Sequence, residues 1–330
     1  MSERRDCEQV VTAVAHPNIA LAKYWGKRAG QGNFPAVPSL SVTLSGMSTT
    51  THVQFDRTLA ADSVMINGEA QYDSRVVALL DRVRAAAEFR LFARVVSVND
   101  FPTASGLASS ASGFAALALA ATHAATLEWD AARISDLARR SSASAARSIF
   151  GGFVELDAGQ ESGDERNMLA AQQVAPIDYL PLTVLVCVTT EQKKSIGSTD
   201  AMTKTAQKSP FYDAWLRDAP AIHASLKSAL LARDRQLLGE LTEASTWAMH
   251  ATAMAAGIVY LRSATIDAIE CVRSLRASGT AAYMTMDAGP HVKVFTAPED
   301  APRVKRELAA VNGVLRVIET QPGEGARNLL

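Results

Sequence analysis

Residues 101–114, Phe-Pro-Thr-Ala-Ser-Gly-Leu-Ala-Ser-Ser-Ala-Ser-Gly-Phe, form a Pro-opened, Gly/Ser-rich loop that runs into an Ala/Leu-rich helical pattern. Such a junction suits a phosphate. The first turn of a helix carries backbone N–H groups without internal partners, and the helix dipole adds partial positive charge at the same end. Gly106 allows close backbone approach to an anion, and the Ser109 and Ser110 hydroxyls can meet phosphate oxygens or a metal ion. The same residues also read as a plain helix start.

Three further segments combine polar residues with Gly or Pro in ways that core packing does not require. In His16-Pro17-Asn18-Ile19-Ala20-Leu21-Ala22-Lys23-Tyr24-Trp25-Gly26-Lys27-Arg28, cations and an amide follow a strand pattern, as a site or as a solvated loop. Arg139 and Arg147 flank the small-residue turn Ser141-Ser142-Ala143-Ser144, and Arg147 offers a bidentate fork to a carboxylate or phosphate. The alternative there is a tight helix–helix junction with its arginines in water. In Met284-Thr285-Met286-Asp287-Ala288-Gly289-Pro290-His291 an acid ends an apolar strand, where it either caps a turn or serves as a catalytic carboxylate oriented by the sheet.

The elements that must carry these residues have two textures. Residues 10–15, 42–44, 49–55 and 91–98 are β-rich and separated by turn residues. Residues 75–88 are amphipathic, 109–126 are almost wholly apolar and so buried, and Asp130 can cap a helix through 140. After Pro181 comes a β-branched run over 182–189, a polar Lys/Ser/Thr loop, and helical patterns over 212–232, 235–256 and 261–277. Strand patterns return at 281–286 and 291–295, followed by a helix over 298–312 stopped by Gly313 and a strand over 314–319. This order predicts an α+β protein of two closely packed domains, 1–180 and 181–330, with a cleft between them.

With 330 residues, 48% hydrophobic and 20% charged, the chain can bury a full core. Lys plus Arg number 33 against 34 Asp plus Glu, so no overall field points to nucleic acid or an anionic membrane, and an anion site must be local. The charged first nine residues lack a signal core and no apolar run reaches membrane-spanning length, so a cytoplasmic protein is expected. Cys7, Cys187 and Cys271 have neither metal-ligand nor disulfide-framework spacing. Walker A, Gly-x-Gly-x-x-Gly, His-Glu-x-x-His and Gly-x-Ser-x-Gly do not occur, so phosphate binding would proceed without the common motifs.

Six segments in order carry a resemblance: Asn18-Ile19-Ala20 with Lys23-Tyr24-Trp25-Gly26-Lys27-Arg28, Ser39-Leu40-Ser41-Val42-Thr43-Leu44, Pro102-Thr103-Ala104-Ser105-Gly106-Leu107-Ala108-Ser109-Ser110-Ala111, Arg147-Ser148-Ile149-Phe150-Gly151-Gly152-Phe153, Met249-His250-Ala251-Thr252, and Asp287-Ala288-Gly289-Pro290. Together they resemble the GHMP kinase superfamily and, within it, the mevalonate diphosphate decarboxylase family. The resemblance implies the GHMP kinase fold, with a left-handed βαβ crossover in the N-terminal domain, a ferredoxin-like C-terminal domain, and commonly a homodimer. It implies ATP and Mg2+ as cofactors and phosphorylation of the 3-hydroxyl of mevalonate 5-diphosphate. Loss of that phosphate with CO2 then gives isopentenyl diphosphate.

Carried onto this sequence, the resemblance makes Asp287, Lys23 and Arg147 catalytic. It places ATP phosphates at Pro102, Ser105, Gly106, Leu107, Ser109 and Ser110, with Ser109 also on Mg2+. Asn18, Tyr24, Lys27, Ser142, Ser144, Ser198 and Thr199, with Arg147, are left for the substrate. Three departures bear on substrate detail. Ser141 and Ala143 stand where the family pattern has glycine, which narrows the pocket; His291 replaces the usual Asn and reads as a core or turn histidine; and the usual Pro-Pro after His-Ala-Thr is absent. The alternatives are a decarboxylase of mevalonate 5-phosphate or 3,5-bisphosphate, a mevalonate-type kinase, or a non-catalytic binding protein on the same fold.

Overall fold

The computed structural model describes residues 9–30, 32–101, 109–159, 167–192 and 196–329. In the first lobe, β1 (Val11–Ala15) is followed by β2 (Asn18–Ala22), β3 (Ser39–Thr43), β4 (Thr49–Asp56), β5 (Ser63–Ile66) and β6 (Glu69–Ala70). Helix α1 (Ser74–Ala87) then leads to β7 (Phe92–Asn99), α2 (Ser109–Ala124) and α3 (Ala131–Ser141). A 3-10 helix over Ala143–Ile149 and strands β8 (Phe153–Leu156) and β9 (Gln172–Ala175) complete it. Asp73 and Asp130 accept hydrogen bonds from Arg75 N–H and Arg133 N–H, which starts α1 and α3 where the sequence offers a capping carboxylate.

β4 alternates buried and half-buried residues along its eight positions, as expected of a sheet with one face on a core. That core is built by Val53, Phe55, Val95, Leu79, Leu80 and the alanines of α2. Alanine suits α2 because the helix is enclosed by β1, β4, α3 and the 3-10 helix, and small side chains let backbones approach. β2 was not anticipated. Its five residues, Asn-Ile-Ala-Leu-Ala, are all buried and so show no two-residue alternation.

The second lobe holds β10 (Thr183–Val188), α4 (Ser198–Lys208), α5 (Tyr212–Leu231), α6 (Arg235–Ala255), α7 (Ser263–Ala277), β11 (Ala282–Thr285), β12 (Val292–Thr296), α8 (Ala301–Ala309) and β13 (Arg316–Thr320). Its antiparallel sheet runs β11-β12-β10-β13. With helices between its first and second and its third and fourth strands, this is the βαββαβ order of a ferredoxin-like layer, within a GHMP kinase fold. The polar run read as a loop after residue 189 contains α4, whose N-terminal Gly197 offers no side-chain cap. Gly313, at φ +81°, follows α8 as expected, although the helix ends earlier, at Ala309.

Two features bind the lobes. Ile19, Leu21, Leu40 and Phe153 of the first lobe share one core with Val184, Val186, Leu226 and Phe295 of the second. The final strand, β14 (Arg327–Leu329), returns to pair with β1 of the first lobe.

Candidate active site

A cleft of about 550 Å³ opens where β2, the 3-10 helix, the start of α2, α4 and the end of β11 converge, a size suited to small-molecule ligands. Lys23, Tyr24, Trp25 and Lys27 line it from the segment that follows β2. Trp25 anchors this run by packing into an apolar cluster with Trp215 and Tyr260, and its carbonyl accepts a 2.7 Å hydrogen bond from Trp215 Nε1. Lys23, Tyr24 and Lys27 thereby face the cleft. Gly26, at φ +110°, permits the bend, and a Cβ there would collide with the Tyr212 hydroxyl.

Asp287 leaves the end of β11 and meets Lys23 from the other lobe: Lys23 Nζ donates to Asp287 Oδ1 at 2.9 Å and to the Ala20 carbonyl at 2.9 Å. The Lys23 side chain is 2% exposed, while that of Asp287 is 25% exposed, toward the cleft it lines. Burial by itself raises the Asp287 carboxyl, but the ammonium groups of Lys23 and Lys293 and their hydrogen bonds prevail and hold it well below the usual carboxylate range. Burial pushes Lys23 down to about 8, against the pull of Asp287. The junction is tied further by Lys23 N–H to Ser245 Oγ at 2.9 Å and Thr285 Oγ1 to the Ala20 carbonyl at 3.3 Å.

Arg147 enters from the 3-10 helix, 2% exposed, and is aimed by neutral acceptors. Its Nε, Nη1 and Nη2 donate to Ser41 Oγ at 2.9 Å, Ser39 Oγ at 2.7 Å and Asn18 Oδ1 at 3.2 Å. Asn18 is held in turn, its Nδ2 donating to the Ser144 carbonyl at 2.9 Å and to Ser148 Oγ at 2.8 Å. Burial lowers the Arg147 guanidinium to about 10, which leaves it charged at neutral pH. The reading of these arginines as solvated therefore fails: both Arg139 and Arg147 are buried.

Ser109 and Ser110, in the first turn of α2, line one wall, and Ser142, Ser144, Ser198 and Thr199 line another. Lys27 Nζ donates to Thr199 Oγ1 at 3.1 Å, bridging the lobes. The Tyr24 hydroxyl is buried at the cleft without a hydrogen-bond partner among the described residues, a position that calls for a polar ligand. Pro102, Ser105, Gly106 and Leu107 lie outside the described residues. His291 is wholly buried, with Nδ1 accepting from Thr189 N–H at 3.2 Å; burial, reinforced by Lys293, lowers it to about 3, so it is a neutral core histidine.

Sequence reasoning missed Arg75, Asn33 and Lys293. Arg75 and Asn33 line the cleft. Arg75 opens the amphipathic pattern over 75–88 and Lys293 sits within the strand pattern over 291–295, positions that by themselves signal no site. With Lys23, Lys27, Arg75 and Arg147 facing the single carboxylate Asp287 among the described lining residues, the cleft is locally cationic in a chain whose net charge is −1. Among the described residues no group of three or more His, Cys, Asp or Glu side chains gathers to hold a metal, and the donors at the cleft are hydroxyls. A hard Mg2+ carried by a nucleotide fits such a donor set, because phosphate oxygens and water fill most of its shell.

Residues 15–168 match the diphosphomevalonate decarboxylase-like N-terminal domain, and residues 184–326 match the mevalonate 5-diphosphate decarboxylase C-terminal domain. The diphosphomevalonate decarboxylase of Homo sapiens is 35% identical over 87% of this chain and 76% of its own length. The chain belongs to the diphosphomevalonate decarboxylase family. Among family members of known structure, mevalonate diphosphate decarboxylase from Staphylococcus aureus superposes with a TM-score of 0.91 at 33% identity, covering 98% of each chain. MDDEF, solved in complex with MVAPP, AMPPCP and magnesium, gives a TM-score of 0.88 at 37% identity over 97% of this chain and 98% of that one.

Proposed function

We propose that this protein catalyses the ATP-dependent decarboxylation of mevalonate 5-diphosphate to isopentenyl diphosphate, with ADP, phosphate and CO2 as the other products. The observation that carries the reading is the meeting of Asp287, Lys23 and Arg147 from three separate elements in one cationic cleft of a chain of this family. We further propose residues 1–180 and 181–330 as its two domains, from the change of sequence pattern near Pro181, together with a cytoplasmic setting and, on the strength of the family resemblance, a homodimeric assembly.

ATP with Mg2+ supplies the phosphoryl group that turns the tertiary 3-hydroxyl, a poor leaving group, into a good one. Asp287 accepts the hydrogen bond of that hydroxyl, orients its lone pair and takes its proton as the bond to phosphorus forms; held strongly ionised, it acts by position before that late proton transfer, as suits a loose phosphoryl-transfer transition state. Lys23 fixes the carboxylate and balances its charge. Arg147, aimed by Ser39, Ser41 and Asn18, clamps the substrate carboxylate so that its C–C bond lines up with the cationic character growing at C3. Lys27, Arg75, Tyr24, Ser142, Ser144, Ser198 and Thr199, which line the cleft, would hold the 5-diphosphate, and Ser109 and Ser110 would meet the nucleotide phosphates, with Ser109 supplying a hydroxyl ligand to Mg2+.

Purified protein given ATP, Mg2+ and mevalonate 5-diphosphate should release ADP, phosphate and CO2 in equal amounts. A stable phosphorylated product without CO2 would overturn the decarboxylase reading in favour of a kinase.

A further inference from the structure

β12 is an inner strand, between β11 and β10, and all five of its residues are buried. Val292 and Val294 face the core under α7 and α8, while Phe295 packs into the core shared by the lobes. Lys293 lies opposite Thr285 on one side and Val186 on the other, and is 1% exposed. An aliphatic side chain would serve packing at that position. A buried ammonium is instead costly unless an anion answers it, and among the described residues the one carboxylate within 4 Å is Asp287, whose Oδ2 accepts from Lys293 Nζ at 3.1 Å. Lys23 occupies the other oxygen, Oδ1.

We infer that Lys293 is a positioning residue for the reaction: with Lys23 it brackets both oxygens of Asp287, fixing the plane of the carboxylate that faces the substrate hydroxyl. Lys293 does not itself line the cleft, so it acts through Asp287. The two ammonium groups also work against each other. Burial lowers Lys23 first, Asp287 opposes that, and Lys293 and Arg147 lower it further. The charged or titratable neighbours of this cluster are Arg147 from the 3-10 helix, His250 from α6 and His291 from the turn just before β12; burial lowers His250 to about 4 and His291 to about 3, so both histidines stay neutral near pH 7. Removing Lys293 therefore lets Lys23 hold its proton to higher pH.

The inference rests on the decarboxylase reading, and Lys293→Met in the full-length protein tests it. The expected result is a kcat lower by roughly 10- to 100-fold with KM for mevalonate 5-diphosphate little changed, the signature of a misplaced catalytic group. The alkaline limb of kcat/KM should also move to higher pH, which a purely structural role would not produce. Lys293→Arg, which keeps the charge but not its placement, should recover part of kcat and return the limb toward that of the wild type. It carries the test alone if Lys293→Met does not fold. In the Asp287→Asn background Lys293→Met should cost little more. Wild-type kcat and an unmoved pH profile in Lys293→Met would overturn the inference, as would a full additional loss in the double variant. A wild-type protein without turnover would overturn the decarboxylase reading and this inference with it, whereas an active wild type beside an unaltered Lys293→Met removes only the inference.

Discussion

Arg139 and Arg147 stand eight residues apart, both buried, and do opposite things. Arg139 is saturated by protein: Nη2 donates to Asp136 Oδ1 at 2.6 Å, Nε to the Leu169 carbonyl at 3.0 Å, Nη1 to the Gly32 carbonyl, and the guanidinium lies 4.0 Å from the Phe34 ring centroid. Asp136 is likewise committed, accepting from Arg140 Nε and Leu169 N–H, each at 2.8 Å. Arg147 is held only by two serines and an asparagine, with no carboxylate within 4 Å among the described residues, and it lines the cleft. A buried cation matched to a carboxylate fastens structure. One aimed by neutral groups keeps its charge available for an incoming anion.

The largest effect should come from the carboxylate that the cleft cations surround. Asp287→Asn should lower kcat by about 10²- to 10⁴-fold while nucleotide affinity, measured by calorimetry, stays near wild type; a mutant with near wild-type kcat would remove Asp287 from its role. On the structural side, Arg139→Met takes from the buried Asp136 one of its two arginines, leaving Arg140 and the Leu169 N–H, and should cost about 2–3 kcal/mol in denaturant unfolding, with kcat of the folded fraction little changed.

Arg147→Gln should reverse that pattern. Loss of the substrate clamp should cost about 2–4 kcal/mol in kcat/KM, whereas unfolding free energy should change by less than about 1 kcal/mol, because among the described residues no carboxylate loses a direct ion-pair partner and Asp287 keeps Lys23 and Lys293. Equal destabilisation by the Arg139 and Arg147 substitutions would erase the distinction between them.

Protonation offers a finer test. Lys23, lowered to about 8 chiefly by burial, is charged below that pH and neutral above it, so kcat/KM should decline as pH rises through about 8. The sign for stability is opposite. A lysine whose folded pKa lies below its unfolded value binds fewer protons when folded, so its contribution to stability grows between about 8 and 10.5. Activity falling while Lys23 favours folding would mark it as a group strained for function. Smallest of all, His291→Asn should alter kcat by less than about 1 kcal/mol equivalent, since the neutral ring meets only Thr189, through its N–H and hydroxyl, among the described residues.

Much of this was legible in the chain. Asp73 and Asp130 announce α1 and α3, Gly313 marks the stop after α8, and the motifs around Lys23, Arg147 and Asp287 name the residues that reach the cleft. β2 stayed hidden because burial on both faces erases alternation, and α4 because a Thr/Lys/Gln-rich helix after an uncapped glycine resembles a loop. Arg75 and Lys293 gave no signal, since an arginine opening a helix and a lysine in a strand are ordinary until their surroundings are known.

Residue types and spacing thus determined the chemistry available to this protein: a loop and helix start fit for phosphate, a bidentate cation, and an acid at a strand end. The tertiary structure decided which charges confront one another. Lys23 and Asp287 are separated by 264 positions yet meet at 2.9 Å, and Lys293 closes on the same carboxylate from an inner strand. Burial gives those encounters their consequence, because away from water two ammonium groups fix a carboxylate's charge and plane, while Arg147, held by neutral groups, lines the same cleft.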